Sequence, residues 1–174
     1  IDEELIGENS NSKIKRLMDN INYDTLIINS SESVCWLLNI RGFDLPFTPV
    51  VQSRMIIFKS NVKVFVDKDK IPEKVDNSKF KFYPIEKFER EILKLPKKSS
   101  ILLDELTPYY FLEIMLSNGL KPEIKKDPCE LLRSQKNVTE INNARKAHFV
   151  DAISLVKYFF WLENINKNSE HTEL

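Results

Sequence analysis

Side chains that ordinarily do chemistry are scarce in this sequence. It has two histidines (His148, His171), two cysteines (Cys35, Cys129) and three glycines (Gly7, Gly42, Gly119). A cysteine nucleophile needs a histidine beside it, and Cys35 with His148 is the one pairing to weigh. Cys35 lies on an apolar helical face, where burial raises a thiol's pKa and makes it inert. The two cysteines, far apart in sequence, read as reduced thiols rather than a disulfide. With neither a Cys-x-x-Cys nor a His-x-x-x-His pair, a closed zinc site is not expected. Three isolated glycines make no glycine-rich turn that could cradle phosphates. Acidic pairs such as Glu3-Glu4, Glu89 with Glu91, and Asp104-Glu105 read as solvated charge. Lys97-Lys98 and Lys125-Lys126 lack the interleaved aromatics of a nucleic-acid stripe. Read directly, residues 1–174 hold no self-sufficient catalytic constellation and no cofactor or metal site.

One loop stands out, Trp36-Leu37-Leu38-Asn39-Ile40-Arg41-Gly42-Phe43-Asp44. Arg41 could pair with a carboxylate, bind a substrate terminus, or bridge to Asp44; the local bridge is the expected state. Trp36 reads as core rather than a stacking platform. His148 lies on the apolar stripe of the last helix and reads as packed, in a place that could face a domain interface or cleft. The candidate cleft or interface residues are therefore Arg41, Asp44, Trp36 and His148.

The elements that must position them follow from pattern. The 174 residues carry 26 basic and 26 acidic side chains, 42% hydrophobic and 30% charged, enough for one buried core with an appendage. Balanced charge gives no pull toward nucleic acid or an anionic membrane, and no apolar run reaches bilayer length. Ile1-Asp2-Glu3-Glu4 has no signal-peptide character, so a cytoplasmic location is expected.

Residues 1–12 read as a linker. A helix capped by Ser10 or Ser12 runs to about Ile21, and Thr25–Ile28 is a buried strand. Ser30-Ser31 caps a second helix ending near Asn39, with Gly42 supplying positive φ. The two prolines of 43–49 exclude regular helix there. Residues 55–58 and 62–66 predict a hairpin around Ser60-Asn61. A short helix near 69–75, a strand at 80–83 and a helix over 85–95 follow. Then come a buried strand at 101–104, a helix from Thr107-Pro108 to Leu116 with Gly119 past its end, and a short edge strand within 122–125. Asp127-Pro128 starts another helical turn. The pattern predicts a layered α/β domain with a mixed sheet flanked by helices.

Asn137 with Glu140 predicts a capping box that opens a long helix to about Leu162. Ile141, Ala144, His148, Ala152, Leu155, Phe159 and Leu162 form one stripe; Phe149, Ile153, Val156 and Phe160 form a second. A helix on the outside of a small domain needs only one stripe, so this one is expected to pack against something larger, in a chain that continues.

Two segments carry a family resemblance. Ser33-Val34-Cys35-Trp36-Leu37-Leu38-Asn39-Ile40-Arg41-Gly42, then Asp44 and Thr48-Pro49, resembles the middle domain of aminopeptidase P (Xaa-Pro aminopeptidase), of the creatinase/prolidase pita-bread metallopeptidases. Lys136-Asn137-x-x-Glu140, Arg145-x-Ala147-His148-x-x-Asp151 and Phe160-Trp161-Leu162-Glu163 resemble the passage into that family's catalytic domain. Gly7-Glu8-Asn9-Ser10 with Lys13 is similar to the family's entry into its middle domain.

The resemblance implies a creatinase N-terminal-like domain over 13–135, a linker at 1–12, and over 136–174 the first helix of a catalytic domain. It implies a parent metalloaminopeptidase that removes the first residue of peptides with a penultimate proline. Two divalent ions, usually manganese, would activate water there. Their ligands would lie beyond Leu174, so this stretch alone would be inactive, helping to shape the substrate cleft or a homodimer contact. Its partners would be the peptide, the missing catalytic domain and a second copy. Phe43 and Leu45-Pro46-Phe47 depart from the smaller or more polar residues of many relatives. The alternative is an interaction module, since relatives of this fold without peptidase activity exist.

Overall fold

The computed structural model describes residue 1, residues 3–71 and residues 80–165. In chain order the elements are α1 (Glu3–Ile6), α2 (Ser10–Asp19), β1 (Thr25–Ile28), α3 (Ser31–Leu38), β2 (Ser53–Phe58), β3 (Val62–Val66), β4 (Phe80–Pro84), α4 (Phe88–Leu93), β5 (Ile101–Asp104), α5 (Tyr109–Ser117), β6 (Glu123–Lys125), α6 (Pro128–Ser134) and α7 (Val138–Asn164). Short 3-10 turns occupy Lys68–Lys70 and Ile85–Lys87. The chain divides into two compact units. One is Glu8–Gln135 with Ile1; the other is Asp2–Gly7 with Lys136–Leu174.

The first unit is built on a six-stranded sheet of order β4-β3-β2-β1-β5-β6. The β1/β2 and β2/β3 pairs are antiparallel, while β3/β4, β1/β5 and β5/β6 are parallel. The mixed sheet flanked by helices is thus present. Its central strands read as apolar runs because both faces are covered: β1 and β5 are buried at all four positions. Alternation sorts the side chains between two cores. Leu26, Ile28, Met55, Ile57, Val64 and Leu102 face Leu17 of α2, Val34 and Leu37 of α3, and Cys129 of α6. Ile27, Ile56, Phe65 and Leu103 face Phe88 and Ile92 of α4 and Phe111 and Met115 of α5. Phe88 stands edge-on to both Phe65 and Phe111, each pair 5.1 Å between centroids, a geometry that adds to plain burial.

Four expectations change in detail. Residues 1–12 are not a plain linker, because they contain α1 and the capped start of α2, where Asn9 rather than a serine accepts from the Ser12 amide. Asn39, not Gly42, takes the left-handed conformation after α3, at φ 57°. Gly42 answers a different need, since a Cβ there would meet Val51 Cγ2 at 2.6 Å and the Val50 carbonyl oxygen at 3.1 Å. The helix expected at 85–95 is a 3-10 turn followed by the shorter α4. Of the helix expected near 69–75, residues 68–70 form a 3-10 turn and 72–75 lie outside the described residues.

The second unit is organised by α7. Its capping box is complete: Asn137 accepts from the Glu140 amide, and the Glu140 carboxylate accepts from the Asn137 amide, both at 2.9 Å. The side-chain amides of Asn137 and Asn143 donate to the Ile6 and Leu5 carbonyls at 2.7 and 2.8 Å, tying α1 to this helix. Gly7, at φ 72°, approaches Thr139 so closely that a Cβ would lie 2.7 Å from its hydroxyl oxygen. No described residue of α7 is buried, and Phe149, Val156 and Phe160 are about two-thirds exposed (69%, 67% and 67%). Among the described residues no helix is long and apolar enough to cross a membrane.

Candidate functional site

The segment from the end of α3 to the start of β2 is built from the inside outward. Ser30 caps α3 by accepting from the Ser33 amide, and the helix stops where Asn39 turns left-handed. Under that stop lies Lys13 of α2, 1% exposed. Its ammonium donates to the Trp36 carbonyl at 3.1 Å and to Asn39 Oδ1 at 2.6 Å, and it sits 4.7 Å from the Trp36 ring centroid. The Asn39 side-chain amide in turn donates to the Glu8 carbonyl, while Arg16 holds the Glu8 carboxylate through Nε and a terminal nitrogen. Trp36 is therefore a core residue, as its helical spacing implies, with a cation fixed over its face.

Arg41 comes next and is exposed. Its guanidinium donates to the Ile40 carbonyl at 2.8 Å and the Cys35 carbonyl at 3.4 Å, covering acceptors left over at the end of α3. It makes no ion pair with Asp44, which corrects the expected local bridge. Asp44 instead pairs with Lys70 at 2.6 Å and accepts from the Gln52 amide at 2.7 Å. Those bonds, the one from Lys70 above all, hold its carboxyl below the usual aspartate range. The cause is long range: Lys70 sits after β3, and sequence spacing around the loop gives no sign of it.

Beyond Asp44 the chain folds into a tight turn. The Thr48 amide donates to the Leu45 carbonyl, the Val50 amide to Thr48, and the Asp44 amide to Val50. Phe47, third residue of the Leu45–Thr48 turn after Pro46, adopts φ 60°, a conformation that costs a bulky side chain about 1–2 kcal/mol. Phe47 and Phe43 are both fully displayed to solvent. The loop is thus a pinned platform that spends strain on presenting two phenyl rings.

Cys35 lies beneath this loop. Its sulfur accepts from the Val51 amide at 3.2 Å, and burial pushes its thiol pKa up. Cys129, deeper still, is pushed up by burial and by Asp127. Both are buried free thiols whose surroundings disfavour the thiolate, which suits inert core residues and not a nucleophile. His148 belongs to the second unit and is exposed on α7, in a shallow depression with Ala147, Val150, Asp151 and Ser154, rather than packed. His171 lies outside the described residues.

Three buried polar groups, Lys13, Asp104 and Asp127, escaped sequence reasoning. Two of the acidic pairs expected to be solvated each hold one buried member, Glu91 at 8% and Asp104 at 2% exposure. Lys13 had a signal, its place four residues before Leu17 on the inward face of α2. Asp104 at the end of β5 and Asp127 at the cap of α6 had none, because acids at element ends usually face water. Asp127 accepts from the Ser33 hydroxyl at 2.5 Å and the Cys129 amide at 2.8 Å. Asp104 is 2% exposed, and its Oδ2 has no hydrogen-bond partner among the described residues. Among the described residues no three His, Cys, Asp or Glu side chains stand close enough together to hold a metal ion.

A family described as the Creatinase/Prolidase N-terminal domain matches residues 1–140. The chain is 28% identical over 170 residues to the Xaa-Pro aminopeptidase ApepP of Drosophila melanogaster, covering 92% of this chain and 27% of that protein. It is 27% identical over 192 residues to Xaa-Pro aminopeptidase 1 of Dictyostelium discoideum, covering 99% of this chain and 29% of that protein. The crystal structure of X-prolyl aminopeptidase from Caenorhabditis elegans, described as a cytosolic enzyme with a di-nuclear active site, superposes with a TM-score of 0.85 at 25% identity. That overlap takes in 94% of this chain and 29% of that one. The chain thus spans less than a third of the length of these relatives. A match running from the first residue to the capping box of α7, on a sheet that also superposes, makes this chain a member of the creatinase/prolidase N-terminal domain family.

Proposed function

We propose that this chain is a non-catalytic supporting domain of a metal-dependent Xaa-Pro aminopeptidase, which removes the residue ahead of a penultimate proline. Residues 13–135 form the supporting domain, and 136–174 lead into the catalytic domain. Two divalent ions, manganese by preference, belong to the rest of that protein, where they would activate water for attack on the peptide bond. The full protein acts in the cytoplasm and pairs with a second copy. The observation that carries this reading is the superposition on the Caenorhabditis elegans enzyme over 94% of the chain, joined to sequence relatives named Xaa-Pro aminopeptidases.

Within that protein the pinned loop is the part suited to border a substrate cleft. Arg41 offers an exposed guanidinium whose bonds are to main-chain carbonyls and leave donors free for a peptide acceptor. The test is turnover of an Xaa-Pro peptide by the full-length protein with manganese. Arg41→Ala is expected to lower kcat/KM about tenfold while leaving the melting temperature close to wild type. Unchanged turnover with a lower melting temperature would make Arg41 a helix-end clamp only. Absence of any turnover in the intact protein would favour an interaction module, for which the displayed Phe43 and Phe47 would be the contact residues.

A further inference from the structure

The end of α5 carries a reactive pair of residues. Asn118-Gly119 is the single Asn-Gly step in the chain. With no Cβ on the following residue, the main-chain nitrogen of Gly119 has an unobstructed approach to the side-chain amide carbon of Asn118. The fold has its own use for that glycine. Gly119 takes φ 79°, its N–H donates to the Leu116 carbonyl, and the Leu120 N–H donates to the Met115 carbonyl, both at 2.9 Å. These two bonds, with Met115 and Leu120 buried in one core, form the Schellman ending, which calls for a left-handed residue at this step. Stopping α5 therefore requires the very residue that opens Asn118 to attack.

The same geometry holds the reaction off. The proton on the attacking nitrogen is engaged by Leu116. The leaving nitrogen, Asn118 Nδ2, donates to the Leu93 carbonyl at the end of α4 at 3.0 Å. Asn118 has ψ 4°, which keeps the Gly119 nitrogen far from the eclipsed position beside Cβ that closing a five-membered ring requires. We infer that Asn118 is a site of spontaneous deamidation locked by the α4/α5 corner, reacting only when the end of α5 opens. On opening, hydroxide takes the Gly119 N–H proton and the nitrogen bonds to Asn118 Cγ. The Cγ–Nδ2 bond breaks and ammonia leaves. Water then opens the cyclic imide at either carbonyl, leaving aspartate or isoaspartate; one water is consumed for each ammonia released, and nothing is oxidised or reduced. Either product sets a carboxylate in place of the donor to Leu93, beside the negative end of α5. Isoaspartate also adds a methylene to the main chain and takes Gly119 and Leu120 out of register with their acceptors. The change is one-way, and it uses no residue invoked for the aminopeptidase reading.

Incubation of the full-length protein at mildly alkaline pH tests it, with peptide mapping for the mass gain and isoaspartate at residue 118. The free peptide Leu116-Ser117-Asn118-Gly119-Leu120 is the unlocked reference, and hydrogen exchange of the Gly119 amide measures opening. Conversion in the folded protein is expected to be slowed, relative to the peptide, at least as much as the fold slows Gly119 exchange. Low urea should speed both together. The deamidated fraction, separated by charge, is expected to exchange its Gly119 and Leu120 amides about tenfold faster than the parent, or more. Asn118→Gln, which keeps the carboxamide but needs a six-membered ring, should release no ammonia from this position. Conversion as fast as in the peptide, a rate indifferent to Gly119 exchange, or undiminished reaction in Asn118→Gln would each overturn the lock. A chain that stays unconverted while its Gly119 amide exchanges freely, or a deamidated fraction with parental exchange, would overturn the assignment too.

Discussion

Replacing Lys13 with alanine is expected to cost about 3 kcal/mol of folding stability, the largest loss among the substitutions considered. The ammonium gives charge-assisted hydrogen bonds to Asn39 Oδ1 and to the Trp36 carbonyl, which also accepts from the Asn39 amide, and bonds of this kind are worth about 1.5–3 kcal/mol each. Truncation also empties a space at a position only 1% exposed, which adds a cavity term of about 1 kcal/mol or more. A buried lysine is costly to desolvate, and that offset keeps the net figure near 3 rather than 6. Lys13→Met refills the volume without restoring the donors, so it should recover about a third of the loss. Urea unfolding of the two variants measures both numbers. If Lys13→Ala unfolds at the wild-type midpoint, the left-handed stop at Asn39 does not depend on the cation beneath it.

Asp104→Asn is expected to act in the opposite sense and stabilise the fold at neutral pH. The native carboxylate is buried, with Oδ1 accepting from the Leu106 amide and Oδ2 unpartnered among the described residues. Desolvation pushes its pKa up, and the negative charges of Asp127, Glu130 and Glu105 add to the rise. A carboxyl whose folded-state pKa is raised favours the fold while protonated. The stability it lends is present below the ordinary aspartate value of 3.8 and is lost as pH climbs through the raised folded value. Asparagine keeps the bond from Leu106, stays neutral, and skips that loss. The gain over wild type should therefore be near zero at about pH 3 and reach its full size at neutral pH. A gain that is the same at both pH values would mean that the charge of Asp104 is not what costs stability.

These two residues also show where sequence reading stops. Pattern located every strand of the sheet, because a short run such as Thr25–Ile28 or Ile101–Asp104, with three apolar residues in four, is too short for a helix and too apolar for a loop. It located α7 because a capping box is a local motif whose donors and acceptors are three residues apart. It failed where partners come from elsewhere in the chain. Asp44 looked paired to Arg41 by proximity in sequence, yet its cation is Lys70. Asn39 takes the left-handed conformation that a nearby glycine seemed to be there for, because Lys13 and Glu8 anchor its side chain from both ends. Arg54 lies one residue before the strand expected at 55–58, and nothing local announces that Phe88 and Phe111 will lie under it. Of the four candidate site residues, Trp36 is fixed in the core, Arg41 and Asp44 belong to one loop with separate partners, and His148 stands exposed in the other unit.

The placement of the two cysteines has a practical consequence. Both sulfurs belong to one layer of the first unit, Cys35 on α3 and Cys129 on α6, and neither is accessible to a reagent in the closed state. Each is also held in its sluggish, protonated form by its surroundings. Their modification by a water-soluble alkylating agent therefore clocks how often that layer comes apart, the two sites reporting from different helices. The domain carries its own reporters of breathing, with no label engineered in.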